Sequence, residues 1–117
     1  MRALERLDEH LGSSEIRIDF INCLNDVYLP HRLKRPGILV LTSTHLVFFS
    51  IAEHDPWIEK YRLHDIRDIR FVKSWFGRRR SLKVHDGQQW HEFYDIYDDH
   101  AERFIKEIKW KVSETKK

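Results

Sequence analysis

The residues best placed to act together are Lys73, Trp75, Phe76, Arg78, Arg79 and Arg80, within the run Lys73-Ser74-Trp75-Phe76-Gly77-Arg78-Arg79-Arg80. Gly77 permits a tight turn, so the two rings sit at or near a hairpin tip with cations on both sides. Three kinds of occupant suit that chemistry. A protein partner ranks first, because Trp and Arg dominate interface hot spots. An anionic membrane ranks second, since rings can enter the zone where headgroups meet acyl chains. Nucleic acid ranks third, with bases stacked on the rings and phosphates held by the arginines. The plainer alternative is that Trp75 folds back onto the protein and the arginines keep the hairpin soluble.

Other candidate groups are weaker. His31, Arg32, Lys34 and Arg35 form a secondary basic loop whose ordinary reading is a solvated surface. Trp110 lies about 180° from the apolar stripe of its helix, near Arg103 and Lys106, and reads as a docking residue or as packing for an N-terminal helix. Eight histidines are scattered among turns and polar faces, and a single cysteine accompanies them, so no metal set of the usual spacing is expected. Asp95, Asp98 and Asp99 cluster before the last helix, where capping explains them better than acid–base catalysis. The chain has neither a phosphate-binding glycine loop nor a nucleophile elbow. No catalytic residue, metal or cofactor is expected, and the chain does not read as an enzyme.

Bulk properties agree with a small binding domain. The 117 residues suit one domain with one modest core. Hydrophobic residues make up 41% and charged residues 34%, the balance of a folded soluble chain. A net charge of +2 supplies no global pull toward nucleic acid or acidic lipid, so any such attraction must be local. The lone Cys23 cannot form an internal disulfide and suits a reducing compartment as an inert buried thiol. No signal pattern opens the chain, and no apolar run approaches the roughly 20 residues needed to span a bilayer. The expected location is cytoplasmic, with peripheral membrane association through the tip left open.

These groups must be positioned by mostly extended elements. Leu4, Leu7 and Leu11 repeat at helical spacing, which predicts a short helix over 1–12 ending at Gly12. From Glu15 the period falls to two: Ile16, Ile18 and Phe20 alternate with charged residues. Asn25, Asp26, Pro30 and Pro36 predict an interruption of pairing over 25–36, with a short extended piece around Val27–Leu33. Gly37–Thr42 and His45–Ile51 form a hairpin around Ser43-Thr44, apolar on both faces. Such strands need cover on the second face, from the N-terminal helix or from a second copy in a homodimer.

Trp57–Leu63 and Ile66–Trp75 read as further strands. Arg80–His85 and Gln88–Tyr94 form a hairpin around Asp86-Gly87, the strongest turn signal in the chain. Trp90 and Phe93 fall on opposite parities, which predicts a bulge or a two-sided strand. Tyr97, Ala101, Phe104, Ile105, Ile108 and Val112 define the apolar stripe of a C-terminal helix, with Asp98 or Asp99 as its N-cap and a frayed tail over 114–117. The predicted fold is mainly β with α: about seven antiparallel strands in a barrel or roll capped by this helix.

The run Gly37-Ile38-Leu39-Val40-Leu41-Thr42-Ser43-Thr44-His45-Leu46-Val47-Phe48-Phe49 resembles the second-to-third strand hairpin of bacterial pleckstrin-homology-like and GRAM-like domains. Tyr61-Arg62-Leu63-His64-Asp65-Ile66-Arg67-Asp68-Ile69 resembles their next signature, and the helix with Ala101 and Phe104 resembles their capping helix. The resemblance covers residues 15–113 and departs at His45, where an arginine is common, and in the added N-terminal helix. It implies a pleckstrin-homology-like fold and a non-catalytic binder of lipid or peptide. The family's inositol-phosphate motif does not match Arg32, Lys34 and Arg35 residue by residue, so no such pocket carries over.

Overall fold

The computed structural model describes residues 16–28, 32–50, 57–73 and 80–116, with backbone alone for 26–28 and 32–35. The expected N-terminal helix over 1–12 lies outside the described residues. Seven strands follow in order: β1 (Arg17–Tyr28), β2 (Arg32–Thr42), β3 (His45–Ser50), β4 (Trp57–Arg62), β5 (Asp68–Lys73), β6 (Arg80–His85) and β7 (Trp90–Tyr94). A 3-10 turn at Leu63–Asp65 separates β4 from β5, and helix α1 (Ala101–Thr115) closes the fold.

The strands make one antiparallel sheet in the order β4-β3-β2-β1-β7-β6-β5. Among the described residues, its two halves, β1–β4 and β5–β7, are joined in strand pairing only where Leu24 pairs with Tyr94 and Asn25 with Phe93. That narrow join lets the halves fold face to face, bringing the Phe48 and Phe93 ring centroids to 5.6 Å. Ile21, Leu39, Leu46 and Phe48 from one half meet Leu82, Val84 and Phe93 from the other. Ala101, Phe104, Ile105, Ile108 and Val112 of α1 complete this core along the predicted stripe. The result is a roll capped by a helix, as expected. β4 and β5 end the sheet, each with one strand neighbour among the described residues.

The apolar second face of the central hairpin is buried within the single chain. Ile38, Val40, Val47 and Phe49 form a separate cluster there, with Phe20 and Ile58 against it. The Ser43-Thr44 turn needs no glycine because Thr42 organises it. Its buried hydroxyl oxygen accepts from the His45 N–H at 2.9 Å and the Thr44 N–H at 3.3 Å.

One expectation is corrected: strand pairing continues through 25–28 and 32–36. β1 and β2 stay in register from Asp19↔Leu41 to Tyr28↔Arg32, through Leu24↔Pro36. Proline fits because its backbone faces away from β1. The Pro36 carbonyl accepts from Ser50 Oγ, on β3, at 2.6 Å, so the missing N–H lies on that side too. Gly37 then allows a close approach, since a Cβ there would sit 2.5 Å from the Phe49 carbonyl oxygen and 2.9 Å from the Phe48 ring.

Smaller differences follow from side-chain bonding and backbone geometry. β7 begins at Trp90, because the Asp86 carboxylate widens the turn by accepting from the Gln88 and Gln89 N–H groups at 2.8 and 2.9 Å. Its pairing with β6 is regular through His85↔Trp90, so Trp90 and Phe93 occupy two faces without a bulge. Tyr97 precedes the helix and is 64% exposed rather than part of the stripe. Asp95, at φ 54°, turns the chain sharply after β7, a left-handed conformation that aspartate tolerates. Asp98 does not cap α1 with its side chain; its carboxylate accepts from the Asn22 N–H at 3.0 Å and from Asn22 Nδ2 at 3.2 Å. The helix also runs to Thr115, past the expected start of the tail.

Candidate functional site

The β5–β6 ladder flanks the segment expected to form a tip. It continues in regular register from Asp68↔His85 to Lys73↔Arg80, so the chain leaves and re-enters the sheet at directly opposed residues. Trp75, Phe76, Arg78 and Arg79 belong to the intervening segment 74–79, which lies outside the described residues. Lys73 and Arg80 are described, and both are engaged. Lys73 Nζ pairs with Glu102 of α1. The Arg80 guanidinium donates to the Ile96 carbonyl at 2.9 Å and the Asp98 carbonyl at 2.8 Å. Arg80 thus ties the hairpin base to the link between β7 and α1. The hydrogen bond from Lys73 and its charge hold the Glu102 carboxyl below its ordinary range, with smaller help from Lys106 and Arg80.

The secondary basic group divides. His31 lies outside the described residues, and Arg32, Lys34 and Arg35 lie on β2 with side chains outside them. Trp110 is 59% exposed on α1, with Lys111 Nζ 5.9 Å from its ring centroid.

The described histidines serve local structure. His91 joins the two halves of the sheet: its Nε2–H donates to Asp86 Oδ2 at 2.7 Å, and its Nδ1 lies 3.3 Å from the Tyr61 hydroxyl. Burial acts to raise the Asp86 carboxyl, but the bonds from His91, Gln89 and Gln88 outweigh it and lower it to about 2. Burial, and then the neighbouring Glu59 carboxylate, push the Tyr61 phenol upward. His100 Nε2–H donates to the Phe20 carbonyl at 2.8 Å, and His85 Nδ1 accepts from the Gly87 N–H at 3.0 Å. Among the described residues no three metal-ligating side chains come together. Cys23 is buried, and burial followed by the charge of Asp98 raises its thiol far above the ordinary value. A thiol so placed is a poor nucleophile.

Sequence reasoning missed two surface features. Trp90 is 42% exposed on the outer face of β7, with the Arg70 guanidinium carbon 5.1 Å from its ring centroid. The His85 ring approaches it edge-on at 5.0 Å. The available signal was the parity of Trp90 against Phe93. The second is an open groove of about 510 Å³ between the β1–β2 pair and the link to α1, with Leu24, Pro36 and Tyr97 among its lining residues. It arises from the β1–β7 corner, which no local sequence pattern announces. Among the described residues no helix is long and apolar enough to cross a membrane.

In backbone arrangement the chain is similar to the Vps36 N-terminal PH domain. The TM-score is 0.68 at 12% identity, covering 90% of this chain and 84% of that one. It is also similar to the C-terminal domain of an unknown protein from Leishmania infantum. There the TM-score is 0.59 at 18% identity, covering 95% and 92% of the two chains. No family model and no curated protein matches the chain. At these identities the likeness shows the fold, which is pleckstrin-homology-like.

Proposed function

We propose that this chain is a non-catalytic interaction module that docks a protein partner through the aromatic–basic segment 73–80. The observation carrying this reading is the β5–β6 ladder. It brings Lys73 and Arg80 opposite each other at the base of a segment holding Trp75, Phe76, Arg78 and Arg79. Aromatic and arginine side chains on a segment held at both ends by the ladder suit a hot spot, because such side chains dominate protein interfaces. The net charge of +2 supports a local contact over broad electrostatic attraction.

A second reading, weak association with an anionic membrane, draws support from the same pairing of rings and cations. A nucleic-acid ligand ranks third and would show a steep loss of binding with rising salt. The test is capture from a native lysate by the full chain, compared with Trp75→Ala/Phe76→Ala, alongside co-sedimentation with vesicles containing or lacking phosphatidylserine. The protein reading expects a captured set that the double variant loses, with no vesicle binding. Vesicle binding that needs phosphatidylserine and Trp75 would move the assignment to membrane. A captured set unchanged in the variant would remove the tip from the account. Arg80→Ala is unsuited to this comparison because Arg80 holds the fold.

A further inference from the structure

Phe20 opposes Val40, Val40 opposes Val47, and Ile38 opposes Phe49, which in turn opposes Ile58. Directly opposed residues project to the same side of a sheet, so these side chains form one apolar face. The alternate residues Leu39, Leu46 and Phe48 turn the other way, into the shared core. Ile38, Val40, Val47 and Phe49 are nevertheless at most 4% exposed. A single layer of side chains standing on a sheet stays wet at its tips; burial needs a second layer. Among the described residues, the partly buried apolar side chains packed against this cluster are Phe20 and Ile58, both members of the same face. We propose that this outer face is a helix-docking surface and that its occupant is segment 1–15 of the same chain, folded back as an amphipathic helix.

Chain length narrows the choice of cover. Apart from Lys117, the segments outside the described residues are 1–15, 29–31, 51–56 and 74–79. The three internal ones join directly opposed strand ends: Tyr28 to Arg32, Ser50 to Trp57 and Lys73 to Arg80. A chain that must return to its starting end within six residues reaches out at most about 12 Å. The face spans three strand spacings from Ile58 on β4 to Phe20 on β1, about 14 Å. Segment 1–15 starts from the right place. The Ile16 N–H donates to Ser43 Oγ at 3.3 Å, and the Ile16 carbonyl accepts from the Ser43 N–H at 3.0 Å, so the chain enters β1 beside the Ser43-Thr44 turn. Gly12, Ser13 and Ser14 suit a reversal there. A helix over 1–12 is about 18 Å long. The face runs about 20 Å along β2 from Thr42 to Pro36, so the two lengths match.

Side-chain chemistry agrees with the lengths. Leu4, Leu7 and Leu11 make one apolar stripe, and Arg2, Glu5, Arg6 and Glu9 fall outside it. Glu5 and Asp8 flank the stripe on one side. Lys60 and Arg62, which alternate with Ile58 along β4, give the face a basic rim. The burial is complete within one chain, so a second copy is not the cover. A docked helix closes the central hairpin to dimerisation and leaves recognition to other surfaces.

The test uses the full chain with isotope-labelled isoleucine, leucine and valine methyl groups. The expected result is nuclear Overhauser contacts from Leu4, Leu7 and Leu11 to Ile38, Val40 and Val47. A mixture of labelled and unlabelled chains, filtered for contacts between molecules, is expected to show none of them. Leu7→Asp is expected to shift the methyl signals of Ile38, Val40, Val47 and Ile58. It leaves Leu82, Val84 and Ile108 in place, which also reports that the core has folded. Should that variant fail to fold, the wild-type contacts decide alone. Absence of contacts from 1–15 to the face, contacts seen only between chains, or Leu7→Asp shifts centred away from the face overturn the proposal.

Discussion

Asp86 illustrates how much one side chain can hold together. Its two carboxylate oxygens accept from the Gln88 and Gln89 N–H groups and from His91, linking the β6–β7 turn to the ring that faces Tyr61. Because its carboxyl is lowered from 3.8 to about 2, ionised Asp86 favours the folded state. That contribution is fully present above about pH 4 and is lost as pH falls through about 2. Asp86→Asn keeps a residue suited to the turn but removes the charge. The Tm gap between wild type and variant should be constant from about pH 5 to 7 and shrink below about pH 4. Gly37 makes a simpler claim. Gly37→Ala drives a methyl group into the Phe49 carbonyl and the Phe48 ring, and should cost about 1–3 kcal/mol in urea unfolding.

At the scale of elements, the chain announced what local periodicity can announce. The Gly37–Ser50 hairpin, the Arg80–His85 strand and the α1 stripe from Ala101 to Val112 were all legible because each buries a face set by its own sequence spacing. The long β1–β2 pairing was not, because Pro36 reads as a breaker until the side of its missing N–H is known. The role of Asp98 was also hidden, since its partner Asn22 is far away in sequence and only the fold brings them together. Of the candidate site, the segment 73–80 was legible as composition. That Arg80 serves as a tie to Ile96 and Asp98 was not. Arg80→Ala frees two carbonyls from a charged donor. It should lower stability by about 2–3 kcal/mol and speed amide exchange at Ile96, whose N–H donates to the Arg80 carbonyl at 3.2 Å.

At the scale of the whole molecule, the two small sheet halves share one core with helix α1, and none of these three parts buries its apolar face alone. Phe104, fully buried where the halves meet the helix, is the appropriate probe of that unity. Phe104→Ala should destabilise by about 3–5 kcal/mol. Its tryptophan fluorescence and far-ultraviolet dichroism should still report one coincident transition. Separate transitions would mean that the β1–β4 half holds together without the helix. The proposal that segment 73–80 docks a protein partner is tested most directly by site-specific photocrosslinking in a native lysate. The crosslinker is placed at Trp75 and, as a control, at Gln88, an exposed turn residue between β6 and β7. The account predicts discrete adducts with a protein partner from position 75 and none from position 88; equal labelling from both, or adducts from position 88 alone, would contradict it.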